Sequence, residues 1–268
     1  GSHDQIVNAL GCGVANPGEA VDTTGTVECI CPLFASIPET LDFERENYAC
    51  VPYLDGRGYV TYAYNISGGA VVRWYRDSLA FYLKQAAKER GCSVYDILNE
   101  TCPPEPTGLI VLPFLQGMGG TPDVLTGARG TIYGLTMHTS PADIYRAILE
   151  GLTFEMRYNL EKLAKYDIRP TTLFAAGGGA KSPVWRQIKA DILGAELRPT
   201  LAGEAGALGS AILGLAAATG ETDRTALAAR FVRYGQTAKP DAQRHAYYEK
   251  QFALYKELRE FEVRHARG

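Results

Sequence analysis

The chain has 268 residues, 46% hydrophobic and 21% charged, with a formal net charge of −3. That composition is that of a globular protein able to bury a sizeable core, and it argues against a disordered or fibrous chain. With 30 acidic and 27 basic residues there is no basic excess to neutralise a phosphate backbone, so nucleic acid is not an expected partner.

The first ten residues run straight into an apolar segment and show no charged-then-apolar leader pattern. From Ala20 to Pro32 the β-branched residues flank Gly25-Thr26 and predict a β-hairpin. Val51–Leu54 and Tyr59–Tyr64 flank Asp55-Gly56-Arg57-Gly58, a second hairpin signal. Ser67–Lys88 reads as one helix with Val71, Trp74, Leu79, Tyr82 and Leu83 in its apolar set. Prolines break the chain at 101–107, a short strand follows at Gly108–Leu112, and Gln116–Gly130 is a glycine-rich loop.

The second half alternates. Ile132–Met137 reads as a strand, and Ser140-Pro141 opens a long helix as N-cap and first helical residue. Thr171–Ala176 reads as an apolar strand, and Gly177-Gly178-Gly179 turns into a helix over Pro183–Leu193. Glu196–Leu201 is extended, with helices near 205–219, 222–233 and 240–265. The first of these holds the longest apolar run, Ala205–Ala218. Broken by Gly206, Ser210 and Gly214, it is too short for a bilayer and reads as a buried helix packed through small residues, so no membrane partner is expected. Strands followed by helix–strand alternation argue an α/β domain with a mixed sheet and helices on both faces, counted as one domain over 1–268. The six cysteines include no Cys-x-x-Cys pair and read as free thiols of a cytoplasmic protein.

Three segments could carry chemistry. In the run from Leu173 to Arg186, Gly177, Gly178 and Gly179 let a ligand approach the backbone, and Ser182-Pro183 start a helix whose N–H groups face the gap. The glycine spacing fits neither a P-loop nor a dinucleotide fingerprint, and a tight turn with close packing explains the same residues equally well. Asp22-Thr23-Thr24-Gly25-Thr26 is a turn whose N–H groups and hydroxyls could cradle phosphate. Asp4 is a carboxylate able to take a proton from an attacking hydroxyl, and phosphoryl transfer tolerates so weak a base. Glu150 and Glu155, five apart on a helix, do not form a paired acid/base site.

Together these segments resemble the C-terminal domain of the FGGY family of carbohydrate kinases. Gly130-Thr131-Ile132-Tyr133-Gly134-Leu135 with Asp143-Ile144 and Ala147-Ile148-Leu149-Glu150 fits the family's C-terminal signature. Gly177–Gly194 resembles its adenosine-binding segment, and Glu204–Ala211 the helix after it. Gly1-Ser2-His3-Asp4-Gln5 resembles the element that carries the catalytic aspartate, and Asp22–Thr26 the second phosphate motif, although Val27 replaces a serine common there. The Gly-Ser-His start also has the composition of an expression scar, but the run through Ala9-Leu10-Gly11 still fits the family.

The resemblance implies a ribonuclease H-like domain of the actin-like ATPase superfamily. It implies ATP and Mg²⁺ as cofactors and a small sugar or polyol as substrate. Asp4 would be the general base. Thr24, Gly25 and Thr26 would hold the transferring phosphate. Gly177, Gly178 and Gly179 would line the adenosine, with Ser182 to Gln187 closing over the base. No residue is assigned as a metal ligand. The family's N-terminal kinase domain is expected to be missing from this sequence, so that the chain alone would be inactive. A non-catalytic, nucleotide- or sugar-responsive relative is the alternative. The net charge and long C-terminal helix permit a homodimer.

Overall fold

The computed structural model describes residues 2–267. In chain order the first half runs α1 (Asp4–Gly11), β1 (Glu19–Thr24), β2 (Glu28–Phe34), α2 (Asp42–Arg45), β3 (Val51–Pro52), β4 (Tyr59–Val60), β5 (Ala63–Asn65), α3 (Gly69–Ser78), α4 (Leu83–Arg90) and α5 (Val94–Thr101). The second half runs β6 (Ile110–Leu112), β7 (Thr131–Tyr133), α6 (Pro141–Leu163), β8 (Thr172–Gly177), α7 (Pro183–Leu193), β9 (Glu196–Pro199), α8 (Ala205–Thr219), α9 (Arg224–Ala229) and α10 (Ala242–Arg267).

The main sheet has the order β3-β4-β2-β1-β8-β9, with β5 also on β2. β1 pairs antiparallel with β2 and parallel with β8, and β8 pairs parallel with β9, so the sheet is mixed as expected. Strand alternation sorts the core onto two faces. Ala20, Ile30, Leu173 and Ala175 pack with Met156 and Leu163 of α6 and Ala190 of α7. Val21, Cys31, Leu33, Phe174 and Ala176 pack with Ile6 and Ala9 of α1 and Ala205 of α8. Each long helix has a local cause. Ser140 and Asp143 form a capping box around Pro141 at the start of α6. Ser182 caps α7 by accepting from Trp185 N–H, and Gly194 ends it in the left-handed conformation.

Five expectations change. The helix read over Ser67–Lys88 is two helices, because at 79–82 the N–H groups of Leu79 and Ala80 both donate to Tyr75 O and the chain turns to bury Ala80. Trp74, Leu79 and Tyr82, expected in the apolar set, face solvent. The β7 ladder stops at Tyr133 instead of running to Met137, and α9 is shorter than the 222–233 read from sequence. Helix α8 is not buried all round: Ala205, Gly209, Ile212 and Ala216 are buried while Ala207, Ala211 and Leu215 are exposed. Its small residues act where it crosses α1, since a Cβ on Gly209 would overlap the Val7 carbonyl and one on Gly11 the Ala205 carbonyl.

Glu150 and Glu155 are both buried, each in its own ion pair, so the absence of a paired acid/base site there holds. Glu150 lies 2.7 Å from Arg146 and accepts from Tyr248 (2.7 Å). Glu155 lies 3.0 Å from Arg259 and accepts from Tyr255 (2.6 Å). Burial, opposed by Arg146 and Tyr248, pushes the Glu150 carboxyl from 4.5 up to about 7. A carboxyl raised in the folded state binds its proton more tightly there, so its stabilising effect is complete below the unfolded value and is lost as pH climbs through 7. The melting temperature is therefore expected to fall between pH 5 and pH 7.5, with up to about 3 kcal/mol at stake in this group. A Glu150→Gln variant should flatten that slope in thermal melts.

The six cysteines are free, three of them buried. Burial raises the Cys12 and Cys29 thiols to about 12, so they pack as apolar groups and are not nucleophiles.

Candidate nucleotide site

The site forms at the carboxyl edge of the sheet, where β1 and β8 end side by side with Thr24 opposite Gly177. The turns that leave the two strands therefore meet. Gly177 has φ +81, and a Cβ there would stand 2.5 Å from Thr24 O, so this position requires glycine. Gly179 packs on Thr24 itself, with room for no Cβ (2.7 Å from Thr24 Cβ). On its other side the hairpin turn is clamped by α3, whose Gly69 and Ala70 N–H groups donate to Gly25 O (2.9 Å) and Thr26 O (3.1 Å).

Between the two turns opens a cavity of about 400 Å³, in the size range of small-ligand sites. Thr24, Gly25 and Thr26 form one wall and Gly178, Gly179 and Ser182 another. Gly69, Ser93 and Ser182 bring in the amino ends of α3, α5 and α7. Helix amino ends carry partial positive charge, and among the lining residues Arg73 and Lys181 add full charges against the carboxylate of Asp96. The cavity therefore favours an anion with an organic portion. Asn99 of α5 is fixed by two hydroxyls: Ser182 Oγ (2.8 Å) and Tyr145 OH (3.2 Å) both donate to its Oδ1. Its amide N–H₂ makes no hydrogen bond among the described residues.

The threonines divide their work. Thr24 Oγ accepts from Lys189 Nζ (2.6 Å) and donates to Asp22 Oδ1 (3.3 Å), so its hydroxyl holds the turn together. Thr26 is exposed at the tip, and its hydroxyl makes no hydrogen bond among the described residues. Asp22 is fully buried and lies 2.6 Å from Lys189, turned away from the cavity.

Asp4 is at the first position of α1 with its side chain 82% exposed, and it does not line the cavity. It nevertheless belongs to the same edge. Asn8, one turn along α1, donates to Thr23 at the carboxyl end of β1 (2.5 Å), whereas Ala15, beyond the helix, donates to Glu19 at the strand's amino end (2.8 Å). α1 thus runs antiparallel to β1 and points Asp4 past the strand ends, on the sheet face opposite α7. Gln187 stands apart: it donates to Asp191 Oδ1 and Lys239 O (both 2.8 Å) and lines a different hollow, with Pro103 and Arg146.

Sequence reasoning missed α5, and with it Ser93, Tyr95, Asp96 and Asn99, as well as Arg73 and the buried Lys189. The signal for Lys189 was present, because a lysine on the helix face that carries Trp185 and Ile188 needs a buried carboxylate partner.

An open α/β sheet with its ligand cavity beyond the strand carboxyl ends defines a broad class of nucleotide- and sugar-binding folds. The comparisons narrow it. The sequence profile of the FGGY family of carbohydrate kinases, C-terminal domain, matches residues 31–218. A gluconokinase from Bacillus licheniformis is 33% identical over 230 residues, which is 83% of this chain and 43% of that protein. A ribulokinase from Anoxybacillus flavithermus (strain DSM 21510 / WK1) is 30% identical over 274 residues, 97% of this chain and 47% of that protein. The crystal structure of xylulose kinase from Rhodospirillum rubrum superposes with a TM-score of 0.84 at 23% identity, over 100% of this chain and 52% of that one. The chain belongs to the FGGY family of carbohydrate kinases and shares the fold of that xylulose kinase. It spans about half the length of the relatives it matches.

Proposed function

We propose that residues 1–268 form the C-terminal, nucleotide-binding domain of an ATP-dependent carbohydrate kinase, working with an N-terminal kinase domain. The reading is carried by one observation: the threonine turn and the glycine turn, far apart in sequence, are two walls of one anion-favouring cavity. ATP supplies the transferable phosphoryl group. Gly178 and Gly179 would let the nucleotide lie against the backbone, with Ser182 and the Asn99 amide toward the base. The Thr26 N–H and hydroxyl would receive the terminal phosphates, while the Gly25 N–H, which donates to Val27 O (2.9 Å), keeps the turn in shape and Thr24 supports it from behind.

Among the described residues no three His, Cys, Asp or Glu side chains gather as a metal cluster. Mg²⁺ would accordingly enter on the nucleotide, held by phosphate oxygens and water. Asp4, exposed at the same edge, would accept the proton of a sugar or polyol hydroxyl as it attacks. The relatives' names point to gluconate, ribulose and xylulose as the acceptor chemistry. We place the protein in the cytoplasm, where six free thiols persist; among the described residues no helix is long and apolar enough to cross a membrane.

A screen of gluconate, pentuloses, hexuloses and polyols with the two-domain protein, read by ADP release, tests this. Release that needs one acceptor class supports the kinase. Nucleotide binding with no phosphoryl transfer to any acceptor would instead identify a regulatory relative.

A further inference from the structure

Beneath the threonine turn lies a charge cluster that the proposed chemistry does not use. Lys189 of α7, 3% exposed, lies 2.6 Å from Asp22 Oδ2 and 2.8 Å from Glu28 Oε1. It also donates to Thr24 Oγ at 2.6 Å. Its ammonium therefore joins β1, β2 and the turn that follows β1, while its other side rests 4.9 Å from the Trp185 ring in the cavity wall.

The charges do not balance, because one cation faces two carboxylates with almost no exposure to water. Glu28 is the weaker of the two partners. It meets Lys189 outside hydrogen-bonding angles, so both its oxygens are buried without a hydrogen bond. Among the described residues Lys189 is the one cation within ion-pair distance of Glu28. β5 pairs neutral Asn65 opposite it, and the Gly68 backbone that caps α3 lies against Glu28 N. Cys29 is next to it, with a thiol that burial keeps protonated. Burial, only partly countered by Lys189, raises the Glu28 carboxyl from 4.5 to about 7.

We propose that Lys189 is a positioning residue for the phosphate-binding turn, and that the two carboxylates sharing it couple nucleotide binding to uptake of one proton by Glu28. The inference rests on the nucleotide reading of the cavity and deepens it. With both carboxylates ionised the cluster carries a net negative charge directly behind Thr24. A phosphate arriving in front of Thr24 raises the energy of that charge, since like charges in a low-dielectric site repel strongly. A proton taken from solvent onto Glu28 leaves Asp22 and Lys189 as a neutral pair and removes the repulsion. By linkage, the ligand that favours the protonated cluster binds more tightly where that form is populated.

Calorimetric titration of the chain with ADP in saturating Mg²⁺, at pH 6 and pH 8 and in two buffers of different ionisation enthalpy, tests this. The wild-type chain should take up protons on binding near pH 7 and lose about fivefold in affinity from pH 6 to pH 8. Glu28→Gln should bind without that proton uptake and with a flatter pH profile. Any titration of the nucleotide itself is common to both proteins and cancels. Lys189→Met should weaken ADP by about tenfold or more at both pH values, while far-ultraviolet circular dichroism reports whether it folds. Equal proton uptake and equal pH slopes in wild type and Glu28→Gln overturn the coupling while leaving the nucleotide reading intact. Absence of ADP binding by the wild-type chain at either pH overturns that reading, and the inference with it.

Discussion

Asp4→Ala is expected to reduce phosphoryl transfer by about 10³-fold in the two-domain kinase, within the range that positioned proton transfer contributes. Nucleotide affinity should stay within about twofold, because Asp4 is outside the cavity and its side chain is 82% exposed. The fold should also survive, since α1 is held by Ile6, Ala9 and Leu10, not by its first residue. Steady-state kinetics with saturating acceptor, paired with an ADP titration, separates the two effects. Full turnover in this variant would remove Asp4 from the chemistry and leave the cavity reading untouched.

Gly178→Val is expected to cut ADP affinity about 100-fold with little change in melting temperature. Gly178 has ordinary helical dihedrals (φ −64, ψ −40), so a side chain brings no backbone strain. Its Cβ would meet nothing nearer than Thr24 O at 3.8 Å. The valine methyls must then occupy space that the cavity keeps open for a ligand. At the neighbouring glycine the same change would act differently. A Cβ on Gly179 would press on Thr24 Cβ and part the two turns, so binding and stability would fall together. Calorimetry and thermal melts on Gly178→Val therefore isolate ligand exclusion from misfolding.

Much of the site was legible because its punctuation is local. Ser182, Pro183 and Gly194 bound α7 by capping chemistry that acts within a few residues, and the helix has the limits those residues set. Gly25 among β-branched neighbours gave the β1–β2 hairpin. What stayed hidden depended on how elements roll and meet. Gln187 is two residues past Trp185, about 200° around the helix. Once Trp185 turns inward to the core, Gln187 must face Lys239 on the other side. The split between α3 and α4 has no proline or glycine to mark it; Ala80 is drawn into the core by tertiary packing, and periodicity does not report that. Helix α5 carries a capping box in Ser93 and Asp96, but only eight residues with a thin apolar stripe follow it. Its contribution to the cavity, Asn99, shows only when α6 and α7 bring Tyr145 and Ser182 to the same oxygen.

The central claim is that two sequence-distant turns bind one nucleotide. Hydrogen–deuterium exchange of the chain with and without MgADP tests it most directly. Slowed exchange at residues 24–27 and at 177–185 in the same sample is the predicted result. Protection confined to other segments, or none at saturating nucleotide, would contradict it.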